Sequence, residues 1–319
     1  MKIGMITDSL GGLDFAGLIR SAGELGIEML EFAGGNWSTA PHLKLDAMLE
    51  SEAARKDFAA RVRDYGLGIS ALNCSGNPLH PGEHGRRHDA VTRKTIKLAS
   101  LMGIERIVMM SGCPGGPGDA NANWVVTDWP AEMQTILKYQ WDDVLIPYWR
   151  DLVAYANGLG IRKLCLELHG HQNVYNVETF FRLRDAVGDT VGVNFDPSHL
   201  MWMGADPLAA IRALGSSIYH VHAKDTYVDP TVAGINGRLE HKPGNAPRMR
   251  AWNYVTLGYG HGEEWWRQFC AALKMVGYSD VLSIEHEDMA MSPLEGVQKS
   301  VRLLREVIVD ATRGRGERS

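Results

Sequence analysis

The chain has 319 residues, 45% of them hydrophobic, with 33 basic and 38 acidic side chains, a formal net charge of -5 and a pI near 6.2. That length allows one large domain or two average ones, and an acidic balance without long runs of like charge excludes a wide surface for a phosphate backbone. The start MKIGMITDSL lacks the apolar stretch of a signal peptide, no segment approaches the ~18 apolar residues of a membrane span, and Cys74, Cys113, Cys165 and Cys270 form no CxxC pair, so a cytoplasmic protein with reduced thiols is expected.

Short runs rich in Val, Ile, Leu and Met alternate along the chain with segments of helical spacing. KIGMIT precedes a helix expected over Phe15 to Leu25, MLEFAG one over Ala53 to Tyr65, and LGISALNC one over Asp89 to Met102. RIVMMSG leads through an insert, Cys113 to Gln140, to a helix over Val144 to Leu159; KLCLELHG leads to Val177 to Val187, and VGVNFDPS to Pro207 to Leu214. IYHVHAKD leads through a second insert, Thr226 to Gly260, to Glu263 to Val276, and VLSIEHED to a last helix over Pro293 to Val309. Gly26, Gly66, Gly103 and Gly160 stand where helix ends need a left-handed residue.

Eight such units imply parallel strands with right-handed crossovers, closed into a (β/α)8 TIM barrel; an open doubly wound sheet is the alternative. One domain over residues 1–312 is expected, with RGRGERS, 313–319, as a frayed tail. Both inserts follow the carboxyl end of a strand, the face where barrel active sites are built, which makes them candidate lids. The second carries Arg238, His241, Lys242, Arg248 and Arg250, read either as a solvated loop or as cations closing over an anionic or polyhydroxylated ligand.

The strand ends hold the chemistry. Period-two alternation puts Glu167 and His169 in phase after the fifth run, and Asn194 and Asp196 after the sixth, with His199 beyond them. The seventh run supplies His220, His222 and Lys224, and the eighth Ser283, Glu285 and Glu287. Carboxylates converging in a barrel mouth resist ionisation unless a cation joins them. Two Glu, one Asp and one His offer three oxygens and one imidazole nitrogen, a set suited to Mn²⁺, Mg²⁺, Co²⁺ or Zn²⁺ with positions left for substrate. A buried ion-pair network with Lys224 as counter-ion is the alternative.

Together CLELHG, NFDPSHL, HVHAKD, SIEHED and GYGHGEEWW resemble the xylose-isomerase-like sugar (phosphate) isomerase/epimerase family, over essentially the whole chain. The resemblance implies a (β/α)8 barrel holding one divalent metal, manganese as first choice, on Glu167, Asp196, His222 and Glu285. His222 is preferred to His220 because the family's ligand is the His of an H-x-x-D/E turn, here His222 to Asp225. Members resembling ketose 3-epimerases use the two metal-bound glutamates as an acid–base pair, which implies Glu167 and Glu285. His199, in DPSH, matches a family position that contacts substrate oxygens, with a helix-cap role as the alternative. Lys224, Arg250 and His80, the last in NCSGNPLHP after the third run, complete the candidate substrate contacts; a plain polar turn is the other reading of His80.

The same barrel resembles the metal-bearing subunit of enzymes that cleave C-glycosides after oxidation at the 3-position. There His169 would be the base, and removal of a proton beside a ketone would expel the aglycone. A DNA-repair endonuclease with a three-metal centre is also similar, but EFAGGN and MMSGCPGG bring none of its extra histidines and the pI is acidic. The expectation is therefore a metal-dependent sugar isomerase or epimerase that abstracts a proton next to a carbonyl through a metal-stabilised enediolate. A lyase acting on a 3-oxo-glycoside and a sugar-binding protein without catalysis are the alternatives. The expected partner is a small-molecule sugar or sugar derivative, with no nucleic acid and no membrane; a homo-oligomer or a partner subunit stays open. No compact glycine loop for phosphate is present, and Trp124, Trp129, Trp202 and Trp252 are placed at the mouth, to stack on a ligand or to pack under a loop.

Overall fold

The computed structural model describes residues 1–308. Ten strands follow in chain order: β1 (Lys2–Ile6), β2 (Met29–Ala33), β3 (Gly68–Asn73), β4 (Arg106–Met109), β5 (Lys163–Glu167), β6 (Val191–Phe195), β7 (Ile218–Ala223), β8 (Asp225–Val228), β9 (Trp252–Val255) and β10 (Val281–Ile284). Eight of them form a closed barrel in the order β1-β10-β7-β6-β5-β4-β3-β2. Closure is made by β1 on β10, parallel and in register from Lys2 opposite Val281 to Met5 opposite Ile284, so the open-sheet alternative falls away. The chain is a single (β/α)8 domain, and among the described residues no helix is long and apolar enough to cross a membrane.

These strands are short and apolar because one face packs on the helices while the other fills the barrel. Inside, Ala71, Val108 and Cys165 form a dry layer, each fully buried. Toward the carboxyl ends the interior turns polar: Glu31, Asn73, Asn194, His220, His222 and Ser283 are all buried. Register irregularities fall between Leu30 and Glu31 in β2 and between Val193 and Asn194 in β6. The extra residue of each lies on the partner strand, Ser70 in β3 and Tyr219 in β7, so the residues re-aimed after it are Ala71 and His220.

Helix ends follow local chemistry. Asp14 caps Phe15–Leu25 by accepting from the Gly17 amide at 2.7 Å, and the helix stops at Gly26, whose φ of 77° lies in the left-handed region. The helix Glu83–Met102 starts before the expected Asp89, since its first turns, EHGRRH, carry no apolar period. Glu132–Tyr139, a π-helical stretch Gln140–Leu145 and Ile146–Gly158 run on without a break, so the end of the first insert is helical. Short helices Leu45–Glu50 and Pro197–Met203 were not expected from the spacing.

The insert after β7 is ordered as a ribbon. β8 pairs antiparallel with β9, Asp225 opposite Val255 and Val228 opposite Trp252, with a helix Pro230–Asn236 between them. Trp252 stacks on Trp202 at 4.8 Å between centroids and 7° between planes, which fastens the ribbon to the helix after β6. The expected last turn at Val309 and the tail at 313–319 lie outside the described residues.

Candidate active site

Four strand ends deliver the ligand candidates. Glu167 closes β5, His222 lies in β7 and Glu285 follows β10. Asp196 follows β6 and caps the next helix, its Oδ1 accepting from the Ser198 amide at 2.8 Å. One donor atom from each of Glu167, Asp196, His222 and Glu285 lies within 4.8 Å of all the others. Asp196 Oδ2, His222 Nδ1 and Glu285 Oε2 are buried without a hydrogen-bond partner.

The orientation of His222 is set by a residue that the motif reading did not single out. Glu31, fully buried in β2, faces His222 Nε2 with both oxygens at 3.0 and 3.1 Å, and also receives His220 Nε2 at 2.8 Å, Asn73 Nδ2 at 2.8 Å and Ser283 Oγ at 2.9 Å. In the neutral ring the proton of His222 therefore sits on Nε2, and Nδ1 turns its lone pair toward Glu285 Oε2 at 3.0 Å and Glu167 Oε2 at 3.3 Å. Lone pairs at such spacing repel unless a cation lies among them. Three carboxylates and one neutral imidazole, with donor atoms convergent within 4.8 Å and Asp196 Oδ1 and His222 Nε2 tied down behind them, fit a divalent ion. Burial opposes charge on His222, yet the carboxylates of Glu31 and Glu285 more than offset it and raise its proton affinity well above the ordinary imidazole value. Without a metal that pull seats a proton on Nδ1, and a divalent ion bound there would displace it.

His199, from the helix after β6, is fully buried between Glu167 and the ribbon. Its Nε2 lies 2.8 Å from Glu167 Oε1 and its Nδ1 2.9 Å from the Tyr254 hydroxyl. Burial alone would lower its pKa, but Asp196 and Glu167 raise it to about 9, so the ring is charged at neutral pH and donates from both nitrogens. Glu167, despite burial, is held well below the carboxylate range by His199 and His222, and it also accepts from Asn194 Nδ2 at 3.0 Å. Lys224 stays charged although buried, because Glu285 at 3.3 Å and Glu287 at 2.6 Å outweigh desolvation; its ammonium also lies 4.1 Å from the centre of the Tyr254 ring.

Above these groups opens a cavity of about 260 Å³, walled by Asp8, Trp37, Asn73, His169, Lys224 and Glu287 among others. His169 rests 4.0 Å from His199 between ring centroids, and its Nδ1 meets the carbonyl of Gly170. Burial and the charge on His199 press its pKa down to about 3, so it is a neutral imidazole. The other candidates lie elsewhere. His80 lines a neighbouring groove, and Arg250 meets the carbonyls of Lys242 and Trp252 while its guanidinium covers the Trp252 ring at 4.8 Å. Trp202 and Trp252 pack on each other, and Trp129 is largely exposed.

Glu31, Asn194 and Tyr254 belong to the site but were not assigned a place in it from the sequence. For Glu31 a signal existed: one charge inside the apolar run MLEFAG must find partners when the strand is buried. Tyr254 gave none, because its part depends on the ribbon folding back over the helix after β6.

The description xylose isomerase-like TIM barrel matches residues 19–307. The uncharacterized protein YfiH of Bacillus subtilis (strain 168) is 49% identical over 311 residues, 97% of this chain and 99% of that protein. Among solved structures, the IOLI protein with a binding zinc atom superposes with a TM-score of 0.66 at 18% identity, covering 97% of this chain and 98% of that one. D-psicose 3-epimerase with D-tagatose from Clostridium cellulolyticum H10 gives 0.61 at 15% identity, covering 97% and 100%. At these identities the structural likeness shows the shared fold.

Proposed function

The chain belongs to the xylose isomerase-like TIM-barrel family, and from that premise we propose that it is a divalent-metal-dependent sugar isomerase or epimerase, working by proton transfer next to a carbonyl. The observation that carries the reading is the convergence of three buried atoms without a hydrogen bond, Asp196 Oδ2, His222 Nδ1 and Glu285 Oε2, beside Glu167. Mn²⁺ suits the three-oxygen, one-nitrogen set, and Mg²⁺, Co²⁺ and Zn²⁺ are compatible. A divalent ion held there supplies Lewis acidity that polarises a sugar carbonyl and its neighbouring hydroxyl and acidifies the C–H between them.

The chain's own groups do the rest. Glu285, whose side chain is 18% exposed, reaches the cavity and removes the α-proton. Glu167 serves the opposite face and relays a proton there from charged His199, whose Nε2–H it accepts at 2.8 Å, while Glu285 releases the proton it removed to solvent. Lys224 lines the cavity beside these carboxylates, placed to donate to substrate oxygens and to oppose the build-up of negative charge, whereas both nitrogens of His199 are already given to Glu167 and Tyr254. Isotope exchange tests this: Mn²⁺-loaded protein is incubated in D₂O with free ketoses, ketose phosphates and 3-oxo-glycosides. Deuterium at an α-carbon of an intact sugar is the expected result, and no uptake from any of them in metal-loaded protein would sink the catalytic reading in favour of a sugar-binding protein.

One observation favours a second reading. With Nδ1 of His169 given to the Gly170 carbonyl, its Nε2 carries a lone pair beside the cavity. As a base, it would take the proton beside the ketone of a 3-oxo-glycoside; the C–H pair would form the new double bond and the aglycone would leave with the glycosidic pair. Aglycone release in the same assay would put this elimination first.

A further inference from the structure

An open groove of about 410 Å³ lies beside the catalytic cavity, and His80, His84 and His88 line it. The spacing of four puts His84 and His88 on one face of Glu83–Met102, and the turn before that helix brings in His80, whose ring stands 5.7 Å from that of His84. Trp37 lines both spaces: its ring centroid is 6.5 Å from His88 on the groove side and 6.5 Å from His169 on the cavity side.

The hydrogen bonds decide what these rings can offer. His88 Nδ1 accepts from the Asn77 amide at 2.9 Å, His80 Nδ1 from the Gly82 amide at 3.0 Å, and His84 Nδ1 faces an Arg87 nitrogen at 2.7 Å, which can only donate. The proton of each neutral ring is thereby on Nε2. Among the described residues none of the three Nε2 atoms has a hydrogen-bond partner. Rings so fixed present N–H donors to the groove and no free lone pair for a metal. Asn77 is already engaged, with Nδ2 on the Cys113 carbonyl at 2.8 Å and Oδ1 on the Leu79 and Cys113 amides.

The surroundings hold this arrangement. Gly76 passes so close that a Cβ there would stand 2.8 Å from His88 Nδ1. Asn36, at φ 68°, gives its amide to the Cys74 carbonyl at 2.8 Å and so seats Trp37 over the groove. On the far wall His171 has a φ of 63°, a left-handed backbone uncommon outside glycine and met at binding sites.

We propose that this groove is a subsite for an anionic oxygen group, carboxylate or phosphate, carried by the substrate at the end remote from its reacting carbon and held by the Nε2–H groups of His80, His84 and His88. It rests on the reading of the neighbouring cavity as the catalytic centre, with the atoms between the two ends passing Trp37. Among the described residues no compact glycine loop forms a cradle for an anion; imidazole donors take that part.

The test follows imidazole ¹H–¹⁵N correlations of the full-length, Mg²⁺-loaded protein titrated with inorganic phosphate, succinate and D-fructose. Saturable shifts of the three rings with phosphate or with succinate are expected, and which anion acts names the source. The double variant His80→Phe/His84→Phe, its thermal unfolding unchanged, should weaken that anion by about tenfold or more, as loss of charge-assisted hydrogen bonds does. In exchange assays it should raise KM for an anionic sugar and leave kcat in place. Absence of saturable shifts with both anions, unchanged affinity in the variant, or shifts with D-fructose alone would overturn the proposal. Failure of α-proton exchange on every sugar, with anion binding intact, would instead sink the catalytic reading and leave the anion site standing.

Discussion

Glu31 and His222 meet at 3.0 Å across 191 residues of sequence, and that contact selects which imidazole nitrogen faces the ligand cluster. A carboxylate behind a metal-facing histidine fixes its tautomer and raises its basicity. Replacing Glu31 by Gln would turn an amide N–H₂ toward four donors. Metal affinity should fall by about 10- to 100-fold, and unfolding free energy by about 1–3 kcal/mol for the unsatisfied buried groups. Calorimetric metal titration and denaturant unfolding read both, and unchanged metal affinity would remove Glu31 from the site.

Glu285→Gln keeps the shape and removes the base. Deuterium exchange should drop by at least about 10²-fold, the contribution of a positioned general base, and metal binding should weaken as one of three carboxylates is lost. A variant with full exchange would end the acid–base role proposed for Glu285.

His169→Asn separates the two chemistries. Exchange by a pair of glutamates should survive within a few-fold. Elimination from a 3-oxo-glycoside should fall by about 10²-fold or more if the ring is the base. Aglycone release from the variant at the parental rate would exclude His169 from that step.

Metal removal should cost stability, since the carboxylates of Glu167, Asp196 and Glu285 converge within 4.8 Å. An ion present at one hundred times its Kd should add about 2.7 kcal/mol to unfolding, by mass action on the native state. Denaturation midpoints that are identical in chelator and in Mn²⁺ would contradict the ligand set.

The ribbon carries an acid-sensitive latch outside the cluster. Glu240 accepts from the Lys242 amide at 2.9 Å, from the Lys242 ammonium at 2.8 Å and from the Ala251 amide at 2.7 Å. Burial works against its charge, but these donors press its pKa down to about 2 from an ordinary 4.5. A depressed carboxyl stabilises fully above its unfolded pKa, so the contribution is present above pH 4.5 and is lost as pH falls toward 2. The protection factor of the Ala251 amide, its exchange rate relative to an unstructured amide at the same pH, should fall on acidification through that window, whereas Glu240→Gln should show low protection already at pH 7 with little further change. Equal protection in both proteins at pH 7 would show that the latch holds nothing.

Much of the barrel was legible because a parallel strand buried on both faces must be a short apolar run, and eight such runs stand out. The polar residues at their ends were legible for the complementary reason: Glu167, Asp196, His222 and Glu285 interrupt apolar patterns where a structural strand would have none. Less visible was the start of Glu83–Met102, whose first turns are polar all round and helical by continuation. The ribbon was read as a long connection and candidate lid, with no strands in it, since β8 and β9 are separated by a helix and a long loop and their pairing is not a local signal.

By itself the sequence determined the alternation of strands and helices and the set of side chains at the strand ends, because periodicity and burial act over a few residues at a time. Only the tertiary structure decided that Glu31 stands behind His222, that Tyr254 returns to His199, and that His80, His84 and His88 line one groove. Those relations join residues from different strands and loops. They depend on barrel closure and on which nitrogen each neighbour occupies, and neither is written in the spacing along the chain.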